Sequence, residues 1–410
     1  MNRWERKTLD SVADLCLGKM LDQSKNKGSP LPYLANVNVR WGNFDVNNLR
    51  TMRFEAHELE RYGLCYGDIV MCEGGEPGRC AIWRDQVPDM MIQKALHRIR
   101  SRSSINHEFL YYSFLNMGRA KGFDRYTTGS TIKHLPSEKL QSLEINVPPL
   151  HIQRRIASIL SAYDDLIENC QRRIQILEQM SRALYREWFV KFRYPGHESV
   201  PLVPSPLGEI PKGWRVSSIG DSCARLESGG TPRRNVADLW DDGDIDWYTT
   251  SELQDNYLFA SKERITEKAV QNSTARVFES GTILMAIYGS PTVGRLGVLT
   301  RRASCNQAAL GLVADSRVIS QNYLYFLLQS LRGYFNSIAQ GAAQQNISKE
   351  KVAKTMILVP DAAARERFEA VASKLRDETR VLAETVFNLR RTRDMLLPRL
   401  ISGQLEVDAA

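Results

Sequence analysis

The feature that most constrains this chain is that it repeats itself over a distance of about 214 residues. Tyr66-Gly67-Asp68-Ile69-Val70-Met71 is echoed by Ser280-Gly281-Thr282-Ile283-Leu284-Met285, and Gln93-Lys94-Ala95-Leu96 by Gln307-Ala308-Ala309-Leu310. Glu108-Phe109-Leu110-Tyr111-Tyr112 meets Asn322-Tyr323-Leu324-Tyr325-Phe326 at the same distance. After a two-residue slip Gly129 meets Gly341, Leu135 meets Ile347, and Val147-Pro148 meets Val359-Pro360 at a distance of 212. Solenoid repeats run about 20–50 residues, so this is a whole module present twice.

Each copy opens with short strands and turns. Residues 67–71 and 281–287 read as strands entered through a glycine. Gly74-Gly75-Glu76-Pro77-Gly78 and Gly289-Ser290-Pro291 follow as turns. Residues 109–120 and 322–337 read as helices with aromatic faces, and residues 143–147 and 356–359 as a last strand stopped by proline. Each copy closes on a long helix. Apolar residues recur at Ile156, Ile159, Tyr163, Leu166, Cys170, Ile174, Leu177, Leu184 and Trp188, then at Phe368, Val371, Leu375, Leu382, Val386, Leu389, Leu396 and Leu400. Spacing of three and four makes one apolar stripe, the mark of a helix that pairs with another helix. The residues expected at that seam are Ile159, Tyr163, Cys170, Ile174, Leu177 and Leu184 on one helix, and Val371, Leu375, Leu382, Val386, Leu389 and Leu396 on the other. An antiparallel pair within the chain is expected; packing of each helix on its own domain or on another subunit is the alternative.

The fold class is therefore α+β: two mixed, β-rich domains separated by two long antiparallel helices that form a coiled-coil spacer, with a pseudo-twofold internal repeat. The boundaries expected are 1–147, a long helix over 148–195, a proline-rich linker over 196–212, 213–360, a second long helix over 361–403, and a tail over 404–410.

Charge and motifs narrow the function. The net charge of +8 permits a nucleic-acid partner without demanding one. Seven scattered cysteines suit a reduced, cytoplasmic protein. No stretch of about 18 apolar residues suggests a membrane span. The sequence holds no G-x-x-x-x-G-K-[ST] loop, no G-x-G-x-x-G turn, no H-E-x-x-H and no C-x-x-C pair. No catalytic residue and no metal site is expected.

The resemblance lies in short motifs and their order. Leu207-Gly208-Glu209-Ile210-Pro211-Lys212-Gly213-Trp214, with Ser218-Ile219-Gly220-Asp221, resembles the opening of a target-recognition domain in specificity subunits of type I restriction–modification systems. Val147-Pro148-Pro149-Leu150-His151-Ile152-Gln153-Arg154-Arg155-Ile156, the Leu-Ile-Glu-Asn run ending at Asn169, and Leu184-Tyr185-Arg186-Glu187-Trp188-Phe189 resemble that family's helical region. Met395-Leu396-Leu397-Pro398-Arg399-Leu400-Ile401-Ser402-Gly403 is similar to its usual C-terminus. The first copy lacks the Pro-x-Gly-Trp opening and starts abruptly at Asn2-Arg3-Trp4, which leaves its first strand in doubt.

The resemblance implies a DNA reader. Each globular part would bind one half of a split double-stranded DNA target. The helices would set the gap and bind two methyltransferase subunits and, through them, restriction subunits. S-adenosylmethionine and ATP would belong to those partners. Polar and basic residues on turns are the candidate DNA contacts: Lys25, Lys27, Asn36, Asn38, Arg40, Lys133 and His134 in the first copy; Arg233, Arg234, Tyr288, Ser290, Arg295, Gln344, Gln345 and Asn346 in the second. Paired Gln and Asn amides suit adenine edges, and they equally suit a polar turn or helix cap. Gln93 and Gln307 recur in both copies and are expected to hold the fold. The aspartates between 238 and 246 are expected to point away from DNA. A specificity subunit with a fused modification and cleavage partner, a two-module scaffold that binds proteins or glycans, and an enzyme with an unrecognised site are the competing classes.

Overall fold

The computed structural model of the protein describes residues 4–22, 26–129, 133–289, 292–339 and 346–407. The chain forms two compact units, Met1–Ile167 with Asn388–Ala410, and Glu168–Phe387. Each long helix therefore gives one part of its length to each unit.

The duplication is visible in the sheets. In the first unit four antiparallel strands lie in the order Ala13–Leu17, Leu96–Ser101, Ile69–Cys72, Cys80–Ile82. In the second the order is Cys223–Ser228, Ala309–Ala314, Ile283–Ala286, Leu296–Leu299, with Asn256–Leu258 added in parallel at the edge. Strands Ile69–Cys72 and Ile283–Ala286 are apolar at every position because both faces are covered. Ile69 and Met71 enter one core and Val70 and Cys72 another. Ile283 and Met285 divide from Leu284 and Ala286 in the same way. Both strands follow a glycine with positive φ, Gly67 at 87° and Gly281 at 86°, which L side chains rarely adopt.

The helices after the sheets match position for position. His107–Arg119 and Gln321–Ser330 are each capped by the preceding residue, Asn106 accepting from the Phe109 amide and Ser320 from the Tyr323 amide. The aromatic run predicted over 322–337 is in fact two helices, broken before Arg332–Ile338. The last strands, Glu144–Val147 and Met356–Val359, pair antiparallel with Glu5–Thr8 and Arg215–Ser218. Trp4 and Trp214 precede the paired first strands alike, so the first copy keeps its opening strand without the Pro-x-Gly-Trp motif.

The long helices run over Leu150–Tyr185, extended by a π-helical turn at Arg186–Val190, and over Ala362–Ile401. Within each unit they pair antiparallel. In the first unit Asp164 pairs with Arg393, and Ile156 and Leu160 share a core with Leu397 and Leu400. In the second, Arg173 pairs with Glu378 at 2.6 Å, and Tyr185 and Trp188 pack on Phe368.

The stripe differs from the apolar reading at several places. The covered positions are 156, 160, 163, 167, 170, 174, 177, 181, 184 and 188, and 368, 372, 375, 379, 382, 386, 389, 393, 396 and 400, alternating steps of four and three. Ile159 is displaced by Leu160 and packs at the margin of the first unit's core. Val371 is 43% exposed, and Ala372 takes the buried place. Leu166, at 54%, yields to Ile167. Ser181, Thr379 and Arg393 hold ladder positions that an apolar pattern passes over. Tyr163, Cys170, Ile174, Leu177, Leu184, Leu375, Leu382, Val386, Leu389 and Leu396 are buried or half-buried. The linker is also structured: Leu202–Ser205 and Gly208–Pro211 form a hairpin within 196–212. No helix among the described residues is long and apolar enough to cross a membrane.

Candidate nucleic-acid interface

In the first unit three turns converge on the end of strand Ile69–Cys72. Asn36 Nδ2 donates to the Gly74 carbonyl at 2.6 Å, and Arg79 Nη2 donates to Asn36 Oδ1 at 2.8 Å. Glu76 joins the group by accepting from Arg79 Nη1 at 3.0 Å and from Trp41 Nε1 at 2.7 Å. Gly74 forms an antiparallel bridge with His134, whose backbone exchanges two hydrogen bonds with Thr128 at 2.8 and 2.9 Å. Lys133 pairs with Asp124 at 2.9 Å. Beneath the turns lies His97, fully buried, with Nε2 2.8 Å from the Leu135 carbonyl; burial holds this imidazole below its ordinary pKa.

Four of the described candidates, Asn36, Arg40, Lys133 and His134, thus share one neighbourhood, and the last three are exposed. Asn38 lies there too, with its side chain turned into the fold. It is 8% exposed, its Oδ1 accepts from the Ala35 amide, and its Nδ2 donates to the Asp45 carbonyl. Lys27 is exposed and flanks a different strand, Ser29–Leu34. Lys25 lies outside the described residues.

The second unit repeats the geometry. Tyr288 and Asn346 form the bridge that Gly74 and His134 form in the first, at the same repeat distances of 214 and 212. The Ile347 amide donates to the Ile287 carbonyl at 2.9 Å, and Thr292 Oγ1 donates to the Tyr288 carbonyl at 2.8 Å. Tyr288 is 42% exposed and Arg295 half-buried. Arg332 braces this turn from below, donating to the Gly294 carbonyl at 2.9 Å while both its Nη groups grip Asp255. Ser290, Gln344 and Gln345 lie outside the described residues.

Two further candidates are tied into the second unit. Arg234 pairs with Glu263, and its guanidinium lies 4.0 Å from the Trp240 ring and 4.8 Å from Trp247. Arg233 is exposed, with only its carbonyl engaged, by Trp240 Nε1 at 3.1 Å. The aspartates of 238–246 are not one solvated cluster, because Asp246 is buried and tied to Arg301 and Arg264. Gln93 does serve the fold, its Oε1 accepting from the Ala95 amide at 3.2 Å. Sequence reasoning missed Trp41, Glu76 and Arg79, which bind the first-copy turns together; the Gly74–Gly78 turn was the signal that could have found them.

The arrangement offers paired, differently furnished turns on one repeated framework. The family profile described as "Type I restriction modification DNA specificity domain" matches residues 1–179 and 211–368. The chain belongs to this family. The type I restriction enzyme MjaIX specificity subunit of Methanocaldococcus jannaschii is 25% identical over 347 residues, 83% of this chain and 78% of that protein. The EcoR124I/EcoR124II specificity subunit of Escherichia coli is 22% identical over 239 residues, 57% of this chain and 54% of that protein. The crystal structure of a type I restriction-modification S subunit from M. genitalium aligns with a TM-score of 0.60 at 15% identity, over 97% of this chain and 96% of that one, which shows a shared fold. As in the family, two specificity domains and two long helices make up this chain.

Proposed function

We propose that this chain is the DNA-specificity subunit of a type I restriction–modification complex and that each unit reads one half of a bipartite duplex target. The observation that carries this reading is the repeated bridge. Gly74 with His134, and Tyr288 with Asn346, present the turns at the same place on both frameworks. The turns differ in chemistry: Arg40, Arg79 and Lys133 in one, Tyr288, Arg295 and Asn346 in the other. Different readers on one framework allow a target that is not a palindrome. Arg40 and Lys133 are suited to phosphates, which set register, while amide side chains such as Asn346 suit base edges, which set sequence.

The paired helices fix the distance between the half-sites and dock two methyltransferase subunits, with restriction subunits joining through them. Catalysis, S-adenosylmethionine and ATP belong to those partners, and the complex works in the cytoplasm. Support for this division of labour comes from the motifs that carry no bond chemistry and from ladders that match across both helices.

The test is selection of bound duplexes from a random pool by the chain in complex with its methyltransferase. One interrupted motif with a fixed gap is expected, with affinity falling steeply as salt rises. Binding without sequence preference would overturn the reading.

A further inference from the structure

The duplication makes positions 164 and 376 equivalent, and likewise 181 and 393. In the first unit this set holds an acid and a base, Asp164 and Arg393, in contact. In the second unit an arginine, Arg376, stands at the acid's position and a serine, Ser181, at the base's, so the set holds a base and no acid.

Arg376 is 7% exposed. Its guanidinium lies 3.8 Å from the Tyr325 ring and 4.8 Å from Tyr257, and its Nε has no acceptor. Among the described residues no carboxylate lies within ion-pair distance of it; Glu178, which lies beside it, pairs with Arg182 at 3.6 Å and acts on Arg376 only at longer range. Aromatic faces and a carboxylate beyond ion-pair distance offset only part of the cost of a buried charge.

The same arginine lines a cleft of about 230 Å³ in which apolar residues, Ile283 and Val298 among them, alternate with polar ones such as Thr300, Gln321 and Asn322, with Arg380 and Asp377 also in the lining. The cleft includes Ser280 and Gly281, at the entry to strand Ile283–Ala286. The Tyr288–Asn346 bridge lies past the other end of that strand, roughly 20 Å away at about 3.3 Å per residue.

We propose that this cleft is a socket for the carboxylate side chain of a partner protein. Ile283 and Val298 suit the methylenes of Asp or Glu, the amide of Asn322 can donate to a carboxylate, and a guanidinium suits its planar oxygens. A DNA phosphate is disfavoured by the distance from the bridge. The partner is the methyltransferase subunit, and this identification rests on the reading under Proposed function.

The test uses the full chain. Arg376→Met is expected to weaken binding of the methyltransferase at least tenfold while leaving the melting temperature of the free chain unchanged or higher. Arg376→Lys is expected to restore part of that loss. A lower melting temperature with unchanged partner affinity would overturn the socket and make Arg376 a structural residue. Should Arg376→Met not fold, Arg380→Gln is expected to weaken the same binding, and unchanged affinity there would count against the proposal. Acetate titration supplies an arm that needs no partner. A saturable shift of the Arg376 Nε–H resonance supports the socket; no shift, or a response to inorganic phosphate alone, overturns it. If the wild-type chain binds no methyltransferase, the functional reading fails, and the acetate arm still decides the cleft.

Discussion

Asp164 on the first long helix is paired with Arg393 on the second, and Tyr112 Oη donates to the same carboxylate at 2.7 Å. Arg393 occupies a position of the buried ladder, so this contact ties helix register to the aromatic helix of the first unit. The pair is only partly buried and each member keeps a second partner, so removing one side costs about 1–2 kcal/mol, less than for a fully buried pair. Arg393→Met is expected to destabilise the full chain by about that much in denaturant unfolding. Adding Asp164→Leu should recover much of the loss. Equal stability of Arg393→Met and the parent would refute this account of the pair.

The same contact bears on a fragment of residues 1–195. Its exposed stripe should self-pair and read an inverted repeat of the first half-site. In that dimer Asp164 would face Ser181, the equivalent of Arg393. Self-association is therefore expected to be weak, and Ser181→Arg should strengthen it at least tenfold in sedimentation. A fragment that stays monomeric with Ser181→Arg would argue against the pairing.

His97 supplies a pH dependence. Burial lowers its pKa in the folded chain, while the unfolded chain titrates near 6.5. Between those values the unfolded state binds more protons, so stability rises with pH there and is lost as pH falls below about 6.5. His97→Gln should flatten the stability profile between pH 5.5 and 7.5. An unchanged slope would assign the acid sensitivity elsewhere.

Arg234 and Arg40 should separate stability from binding. Arg234→Ala removes a cation stacked on two tryptophans, a loss of about 1 kcal/mol. Thermal unfolding should register it while DNA affinity holds. Arg40→Ala should do the reverse, weakening DNA binding and reducing the salt slope by about one unit. The opposite pattern would exchange their roles.

Thiol labelling probes the packing. Cys65 is exposed, whereas Cys72, Cys80 and Cys305 are buried, and burial pushes the Cys305 thiol up to about 12. Cys65 is expected to react promptly with a thiol reagent under native conditions, and Cys72, Cys80 and Cys305 only on unfolding. Prompt reaction of Cys305 would contradict the second unit's core.

What could be read from sequence followed from periodicity. The strands at 69–72 and 283–286 and both long helices were legible because their apolar runs are dense and duplicated. The seam was less so, since Ser181 and Thr379 are buried and Arg393 half-buried, polar residues that hydrophobic spacing cannot see, and Val371 is an apolar residue on the wrong side by one position. Asn36 and His134 were legible as turn residues. That Asn38 is buried and Arg234 stacked on Trp240 was not, because both depend on distant segments. The hairpin at 202–211 hid in a proline-rich stretch because its prolines sit on an isolated two-stranded pair, where a missing amide costs little.

The central claim is that each unit reads its own half of the target. Host-genome methylation, sequenced with the parent chain and with a variant carrying Arg40→Ala and His134→Ala, tests it most directly. The account predicts one interrupted motif whose first-unit half alone is relaxed, with the other half and the gap unchanged. Relaxation of both halves together, or a continuous motif, would contradict it.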